Sequence, residues 1–223
     1  MATLLHIDAS ARAGRSGIDR HGSHTRRLSA RFVDRWRLVR PDDTVLYRDV
    51  GRSPPRPVTE DWITAAFTPP DRRQPWMHEA LAESDELVAE VTAADILVIG
   101  APMYNFGMPA PLKAWIDNIV RVGVTFGFDR RREGVPYWPM LAPGKRLVIL
   151  GSRGDHGYDP GGRIAHLNLV ETGLSVPFAY IGLTRVDAIA TEYDEFADER
   201  LAASLNAAET AIDRLADRIG VDG

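Results

Sequence analysis

Short apolar runs that alternate with longer amphipathic segments are the feature that most restricts the fold of this chain. Three runs end at small or turn-forming residues and predict buried strands, at residues 4–8, 96–100 and 146–151. Weaker strand patterns lie at residues 44–47 and 185–190. Because the three strong runs are apolar on both faces, they are typical of parallel strands that are covered on both sides.

The segments between these strands carry helical periodicity. The predicted helices cover residues 23–38, 78–91, 110–122, 160–173 and 194–219. This regular alternation predicts an α/β fold in which an open parallel five-stranded sheet carries helices on both faces. In such a sheet a ligand binds beyond the carboxyl ends of the strands.

Composition narrows the classes of function. The chain has 223 residues, a formal net charge of −4, six histidines and no cysteine. We expect a single cytoplasmic domain over residues 1–223 with no nucleic-acid or membrane partner, because neither a basic excess nor a membrane-length apolar run is present. Without cysteine there is no disulfide, thiolate nucleophile or iron–sulfur cluster, so redox chemistry requires a bound cofactor. The histidines do not show ligand spacing, so no metal site is expected.

Residues 51–76 differ from the rest of the chain. They contain six of the fifteen prolines and a short helical pattern at residues 59–67. We expect an excursion over the surface, which is either a substrate lid or subunit contact, or a solvated connection.

The first strand leads into a helix with a cationic start. Ser23 is expected to cap this helix. Arg26 and Arg27 lie in the first turn, where each positive side chain costs roughly 0.3–1 kcal/mol against the helix dipole. A phosphate held by backbone amides and by the hydroxyls of Ser10, Ser23 and Thr25 would reverse this cost, whereas a plain capped helix explains Ser23 alone. Dinucleotide and P-loop sites lack their glycine motifs in this sequence.

A second signal follows the third predicted strand, where the sequence reads Met103-Tyr104-Asn105-Phe106-Gly107. Aromatic rings, an amide and a glycine at a strand end suit the binding of a flat conjugated ring. If the apolar side chains of this string are considered alone, packing in the protein core would also explain them.

This string resembles the loop after the third strand of FMN-dependent NADH:quinone oxidoreductases, also called azoreductases. Residues 111–117 and 121–126 are similar to that family's next helix and the flap behind it. Ser10 matches the family's serine after the first strand, and residues 23–25 stand where its phosphate loop is expected. The resemblance spans most of the chain, fades in residues 51–94, and implies a flavodoxin-like sheet of order 2-1-3-4-5 with FMN between strands one and three.

Two departures from the family pattern concern the phosphate. The loop at residues 11–22 is longer than the family's and carries Arg12, Arg15 and Arg20. His24 replaces an uncharged polar residue. The phosphate contacts that the resemblance implies therefore include a histidine.

A further match follows the fourth predicted strand. Ser152-Arg153-Gly154-Asp155 is similar to the Ser-Arg-Gly-Gly loop that lies along the flavin ring in the family. Asp155 replaces a glycine, and a carboxylate beside the ring would disfavour the anionic reduced flavin. We expect Asp155 to turn outward or to cap a turn, which leaves His156 as the group nearest the ring.

The resemblance also implies a homodimer with active sites at the interface. Tyr180 takes a phenylalanine position of the family, where it either covers the partner's flavin or is an ordinary buried aromatic residue. Tyr104, Phe106 and Phe126 are expected to form an apolar slot for flat substrates.

The implied activity is a two-electron transfer. NADH or NADPH would pass hydride to FMN and leave, and a quinone or azo compound would then take two electrons in the same pocket, with ping-pong kinetics and no catalytic side chain. Two alternatives share many of these features: a flavodoxin-type electron carrier, which usually has a shorter phosphate loop, and an NAD(P)H-dependent FMN reductase.

Overall fold

The computed structural model describes residues 1–222 and has seven strands, in chain order β1 (Thr3–Asp8), β2 (Thr44–Asp49), β3 (Ile96–Pro102), β4 (Phe126–Phe128), β5 (Tyr137–Pro139), β6 (Arg146–Ser152) and β7 (Arg185–Thr191). Five of them form a sheet of order β2-β1-β3-β6-β7, in which every neighbouring pair is parallel. Strands β4 and β5 form a separate antiparallel hairpin. Without the hairpin the order is 2-1-3-4-5, as the sequence resemblance implies, so this prediction is confirmed.

In the described part of the chain, residues 1–222, six α-helices connect or flank the strands: α1 (His24–Val39), α2 (Glu60–Phe67), α3 (Pro75–Ala93), α4 (Ala110–Ile119), α5 (Leu169–Ile181) and α6 (Glu199–Asp222). Helices α1 and α6 cover one face of the sheet, and α3, α4 and α5 cover the other. Within residues 1–222 no helix has both the length and the apolar character that crossing a bilayer requires.

The central strand β3 shows why the sheet is covered on both faces. Its side chains alternate, so that Leu97 and Ile99 enter the core beneath α3–α5 while Ile96 and Val98 enter the core beneath α1 and α6. All four are buried. A central strand that is covered on both faces needs apolar residues throughout, and this apolar run is the pattern from which the strand was predicted.

The strand register brings the carboxyl ends of the strands to one edge of the sheet. Asp8 pairs with Gly100, and Pro102 pairs with Ser152. Backbone hydrogen bonds continue beyond the strands, from the Met103 amide to the Ser152 carbonyl at 2.9 Å. The loops after β1, β3, β6 and β7 are therefore held close together at this edge.

The helix predicted at residues 160–173 is wrong. Gly161 has a φ of +84°, which ends regular helix geometry there. Helix α5 begins only after Asn168, whose side chain accepts a hydrogen bond from the Val170 amide, and it ends at left-handed Gly182.

The segment at residues 51–76 contains the expected short helix, α2, to within a residue. Ala65 and Ala66 of α2 pack with Met77 and Leu81 of α3 in a small apolar cluster. The segment thus has a core of its own, which fixes α2 on α3.

Candidate functional site

A cavity of about 230 Å³ opens at the carboxyl edge of the sheet. It is formed by the loops that follow β1, β3, β6 and β7 and by the start of α1. Its lining consists of Ser10, Arg12, Ser23, His24, Pro102, Met103, Tyr104, Ser152, Gly154, Asp194 and Glu195. Most of the site residues predicted from the sequence are thus in or beside one cavity, and Arg12, Asp194 and Glu195 are additions to it.

The start of α1 forms the hydroxyl-rich end of this cavity. The Ser23 Oγ accepts a hydrogen bond from the Arg26 amide and lies 3.0 Å from the Thr25 hydroxyl. Within residues 1–222 the backbone amides of His24 and Thr25 have no hydrogen-bond acceptor, as is usual for the first residues of a helix. Free amides and hydroxyls at a helix start are groups that bind phosphate.

The two arginines at the helix start do not mark an anion site, contrary to the prediction from the sequence. Arg26 is only 4% exposed and makes two 2.7 Å hydrogen bonds to the Asp49 carboxylate. Arg27 donates to the Glu209 carboxylate at 2.6 Å. Carboxylates of the protein balance both charges, and no external anion is needed for that purpose. Sequence analysis missed this because the partners are distant in the chain.

Arg26 nevertheless supports the cavity. Its guanidinium donates to the carbonyl oxygens of Ser10 at 2.8 Å and Arg12 at 2.6 Å. These bonds fix the first residues of the loop at residues 11–22. Arg26 therefore positions the loop, while Arg12 is the arginine that lines the cavity.

His24 stands at the boundary between the helix start and the loop after β7. Its side chain is 11% exposed, and its Nε2 lies 3.1 Å from the Asp194 Oδ1. The hydrogen bond with His24 lowers the pKa of Asp194 below its ordinary value. The His24 Nδ1 is buried and has no hydrogen-bond partner within the described residues.

The loop after β3 has a strained backbone. Asn105 and Phe106 have φ values of 48° and 70°, a left-handed conformation that costs on the order of 1–3 kcal/mol for a residue other than glycine. Tyr104 and Gly107 exchange backbone hydrogen bonds of 2.9 and 3.1 Å across them. The Tyr104 hydroxyl also accepts from the Ala11 amide at 3.2 Å, which ties this loop to the one after β1.

This strained turn presents its polar and aromatic groups outward. Phe106 is 46% exposed, and Asn105 is exposed beside it. Within residues 1–222 the Asn105 and Phe106 amides have no acceptor. Strain of this kind persists where the surrounding structure enforces it and is common at ligand sites.

The loop after β6 divides its residues between the cavity and the interior. Ser152 and Gly154 line the cavity. The Arg153 side chain points the other way, is 4% exposed, and donates to the carboxylates of Glu171, Asp159 and Glu192 at 2.5, 2.7 and 3.0 Å; these three partners surround its guanidinium. The structure therefore places Arg153 as a support of the loop.

Asp155 and His156 both lie outside the cavity lining. The Asp155 carboxylate faces outward and accepts from Arg163 at 2.6 Å and from the His156 amide at 2.8 Å. The His156 ring is stacked on Tyr193, with 4.8 Å between the ring centroids. The outward orientation expected for Asp155 agrees with this geometry, whereas His156 is held against the loop after β7.

Phe126 and Tyr180 belong to an aromatic group on the outer side of α5. Their ring centroids are 5.0 Å apart, and Tyr137 packs beside both. Tyr137 and its neighbour Phe128 were not anticipated, because the hairpin that carries them consists of two three-residue strands. A sequence signal for Asp194 and Glu195 did exist: they follow the fifth sheet strand and so reach the same edge.

These residues fit a flat aromatic cofactor with a phosphate group. The hydroxyls of Ser10 and Ser23 and the free amides of the α1 start suit the phosphate, and His24 lines the cavity next to Ser23, whereas Thr25 is fully buried. The strained loop after β3 supplies aromatic faces and free amides for the ring.

The fold and this cavity define a flavodoxin-like α/β protein, and a family model described as a flavodoxin-like fold matches residues 2–214. An FMN-dependent NADH:quinone oxidoreductase 2 of Idiomarina loihiensis is 42% identical over 221 residues, covering 99% of this chain and 92% of the relative. An FMN-dependent NADH:quinone oxidoreductase of Opitutus terrae is 44% identical over 220 residues, covering 98% and 99%. The chain belongs to this family of FMN-dependent NADH:quinone oxidoreductases. A solved azoreductase from Bacillus anthracis shares the fold, with a TM-score of 0.83 at 20% identity and coverage of 98% and 100%.

Proposed function

We propose that this protein is an FMN-dependent NAD(P)H:quinone oxidoreductase that also reduces azo compounds, with residues 1–223 acting as one domain. The observation that carries the proposal is one cavity in a member of this family, lined by Ser10 and Ser23 and by Met103 and Tyr104, which lead into the strained turn at Asn105 and Phe106. When bound, FMN supplies the redox chemistry, accepting a hydride from NADH or NADPH and returning two electrons to the acceptor.

The side chains of the cavity have distinct binding roles in this proposal. Ser10, Ser23, His24 and Thr25, with the first amides of α1, hold the phosphate. Residues 103–107 hold the polar edge of the ring system through the Asn105 side chain and the free amides of the turn. Ser152 and Gly154 close the opposite side, while Arg153 and Asp155 keep their loop in place.

The substrate is expected to lie over the exposed side of the ring. Tyr104 and Phe106 offer apolar faces at the cavity, and Phe126 and Tyr180 offer two more on the outer side of α5. Flat quinones and azo compounds suit such surfaces. Because donor and acceptor use one place in turn, ping-pong kinetics follow.

We also propose a homodimer in which the active sites lie at the interface. Leu169, Val176 and Tyr180 are exposed apolar residues on one face of α5. This stripe begins beside the ring loop, since the Leu169 amide donates to the Phe106 carbonyl at 3.0 Å. A second copy on this stripe would reach the substrate space. A cytoplasmic location remains part of the proposal.

The test begins with purified protein and FMN. Binding should quench flavin fluorescence, anaerobic NADH or NADPH should bleach the 450 nm region, which is roughly where oxidised flavins absorb, and benzoquinone or an azo dye should restore the colour. Protein that binds no FMN contradicts the proposal. Colour that neither nucleotide bleaches indicates an electron carrier, and release of free reduced flavin indicates an FMN reductase.

A pair of variants tests the phosphate contacts. Ser23→Ala should weaken the binding of FMN but leave riboflavin, which lacks the phosphate, unchanged. Ser53→Ala, an exposed serine outside the cavity, is the control. Equal losses for FMN and riboflavin in Ser23→Ala would instead indicate a collapse of the helix cap.

A further inference from the structure

His24 differs in its surroundings from an ordinary surface histidine. One ring nitrogen, Nε2, is paired with Asp194 at 3.1 Å, and the other, Nδ1, is buried without a partner within the described residues. The ring lies at the first turn of α1 and lines the cavity beside Ser23. A bound anion in the cavity would therefore lie close to the imidazole.

The charged residues around His24 do not compensate the negative charge of a bound phosphate. Four charged or titratable side chains line the cavity together with His24. Arg12 comes from the loop after β1 and Tyr104 from the loop after β3, while Asp194 and Glu195 come from the loop after β7. From the end of β6 and the loop after it, only the uncharged residues Ser152 and Gly154 line the cavity. The hydrogen bond with His24 has the largest effect on the pKa of Asp194 and lowers it, and the positive charge of Arg12 lowers it further. The cavity thus contains two carboxylates and one arginine before any phosphate binds.

The arginines next along the chain do not correct this balance. Arg26 is held by Asp8 and Asp49, and Arg27 by Glu209. A phosphate monoester carries close to two negative charges above a pH of about 6. A further positive charge would stabilise this dianion beside Asp194 and Glu195, and His24 is the residue lining the cavity that can gain one.

From these contacts we infer that His24 takes up a proton when the phosphate of FMN binds, so that the imidazolium, held by the Asp194 carboxylate through Nε2, adds a positive charge to the phosphate site. The inference rests on the proposed function, because it assigns a role within the same cofactor site. The proton comes from solvent, no bond other than N–H forms, and the positive charge stays on the ring while the cofactor is bound. His24 is then the group that makes cofactor retention depend on pH.

The direction of this dependence follows from linkage. Where binding requires proton uptake, affinity falls as the pH rises, by up to about tenfold per pH unit for one proton. An imidazole ordinarily loses its proton near a pH of about 6.5. The dependence should therefore be visible between roughly pH 7 and 9, where the phosphate charge no longer changes. At a pH low enough that His24 is already protonated before FMN binds, the affinity for FMN no longer depends on pH through this residue.

The experiment is a titration of the apoprotein with FMN in phosphate-free buffers at several pH values between roughly 7 and 9. The quenching of flavin fluorescence reports binding. The Kd of the unaltered protein should rise by up to about tenfold per pH unit at its steepest. In His24→Gln, which keeps hydrogen-bond donors but cannot be protonated, the Kd should hardly change with pH. His78→Gln, the same substitution at an exposed histidine on α3, should match the unaltered protein.

A calorimetric measurement on the unaltered protein gives an independent reading. FMN titrations at one pH in two buffers of different ionisation enthalpy report the protons exchanged, and up to one proton should be taken up with FMN and none with riboflavin. Zero uptake with FMN, or a pH slope that survives His24→Gln, overturns the inference. FMN binding that is tight and independent of pH overturns the inference alone, whereas no FMN binding at any pH overturns the proposed function as well.

Discussion

Arg26 joins three parts of the molecule that meet below the cavity. Its guanidinium pairs with Asp49 at the end of β2 and lies 3.4 Å from Asp8 at the end of β1. It also donates to the carbonyls of Ser10 and Arg12. One buried side chain makes all of these bonds, and it fixes the start of the loop together with the bond from the Ala11 amide to the Tyr104 hydroxyl.

Replacing Arg26 by methionine should lower the free energy of unfolding by about 3–5 kcal/mol, because Asp8 and Asp49 would lose the cation that balances them in a buried setting. Urea denaturation followed by circular dichroism measures this change. Arg31→Met is the matched control, since Arg31 pairs with Asp213 at the surface and should cost at most about 1 kcal/mol. Similar losses in both variants would show that Arg26 has no special role.

The same cluster predicts a pH dependence. Burial raises the pKa of Asp8, but the His6 ring 3.4 Å away, the hydrogen bond from the Ser29 hydroxyl and the charge of Arg26 outweigh burial and leave the pKa below its ordinary value. Asp49 behaves likewise, with burial outweighed chiefly by Arg26. Carboxyls with lowered pKa values in the folded state stabilise it above the unfolded-state pKa of about 3.9, and this contribution is lost as the pH falls below that value.

We therefore expect the difference in stability between the unaltered protein and Arg26→Met to narrow as the pH falls from about 5 to about 3. Urea midpoints at several pH values measure it. A difference that stays constant across this range would mean that Arg26 stabilises the fold through packing and its bonds to carbonyls alone.

Several site residues could be predicted from the sequence because each follows an apolar strand. Ser10 lies two residues beyond β1, Met103 comes directly after β3, and Ser152 is the last residue of β6, and the shared edge of a parallel sheet brings such positions together. The pairing of Arg26 with Asp49 could not be predicted in this way. It joins residues from a helix and a strand whose relative placement depends on the whole sheet.

At the scale of elements, the sheet strands were predictable and the hairpin was not. Strands buried on both faces need apolar side chains throughout, whereas β4 and β5 have three residues each and show no run. The position of helix α5 was predicted wrongly for a different reason. Gly173 and Pro177 lie inside it and favour ending a helix, but its buried side chains, Val170, Leu174, Phe178 and Ile181, follow helical spacing and pack in the core.

The hairpin offers a prediction at this scale. Gly127 lies opposite Trp138 across β4 and β5, and a Cβ there would overlap the indole ring. Gly127→Ala should therefore separate the two strands while the five-stranded sheet stays intact, and trypsin should cleave faster at Arg130, Arg131 and Arg132 in the connecting turn.

Timed trypsin digestion with mass analysis of the fragments detects this cleavage. Val135→Ala is the control, because Val135 lies in the same turn with an exposed side chain. An unchanged rate of cleavage in Gly127→Ala would show that the Trp138 ring moves aside without loss of the hairpin.

The two faces of the whole molecule differ in character. On one face, ion pairs link α1 to α6 at four-residue intervals, from Arg27 to Glu209, Arg31 to Asp213 and Arg35 to Asp217. On the other face, α5 and the hairpin expose apolar side chains. Charged ladders suit contact with water, and a continuous apolar stripe suits contact with another protein surface.

The dimer proposed above predicts that a charge on the apolar face separates the subunits. Val176 lies in the middle of the α5 stripe, so Val176→Glu should reduce the mass in solution from about twice the 24.7 kDa of the chain to that of one chain, because the carboxylate would be desolvated at the interface. Leu38→Glu places the same charge at an exposed leucine on α1, on the opposite face, and should leave the dimer intact. Light scattering coupled to size exclusion measures both masses. A dimer that survives Val176→Glu but not Leu38→Glu would move the interface to the α1–α6 face, away from the cavity, and would remove Tyr180 from any role at a partner's active site.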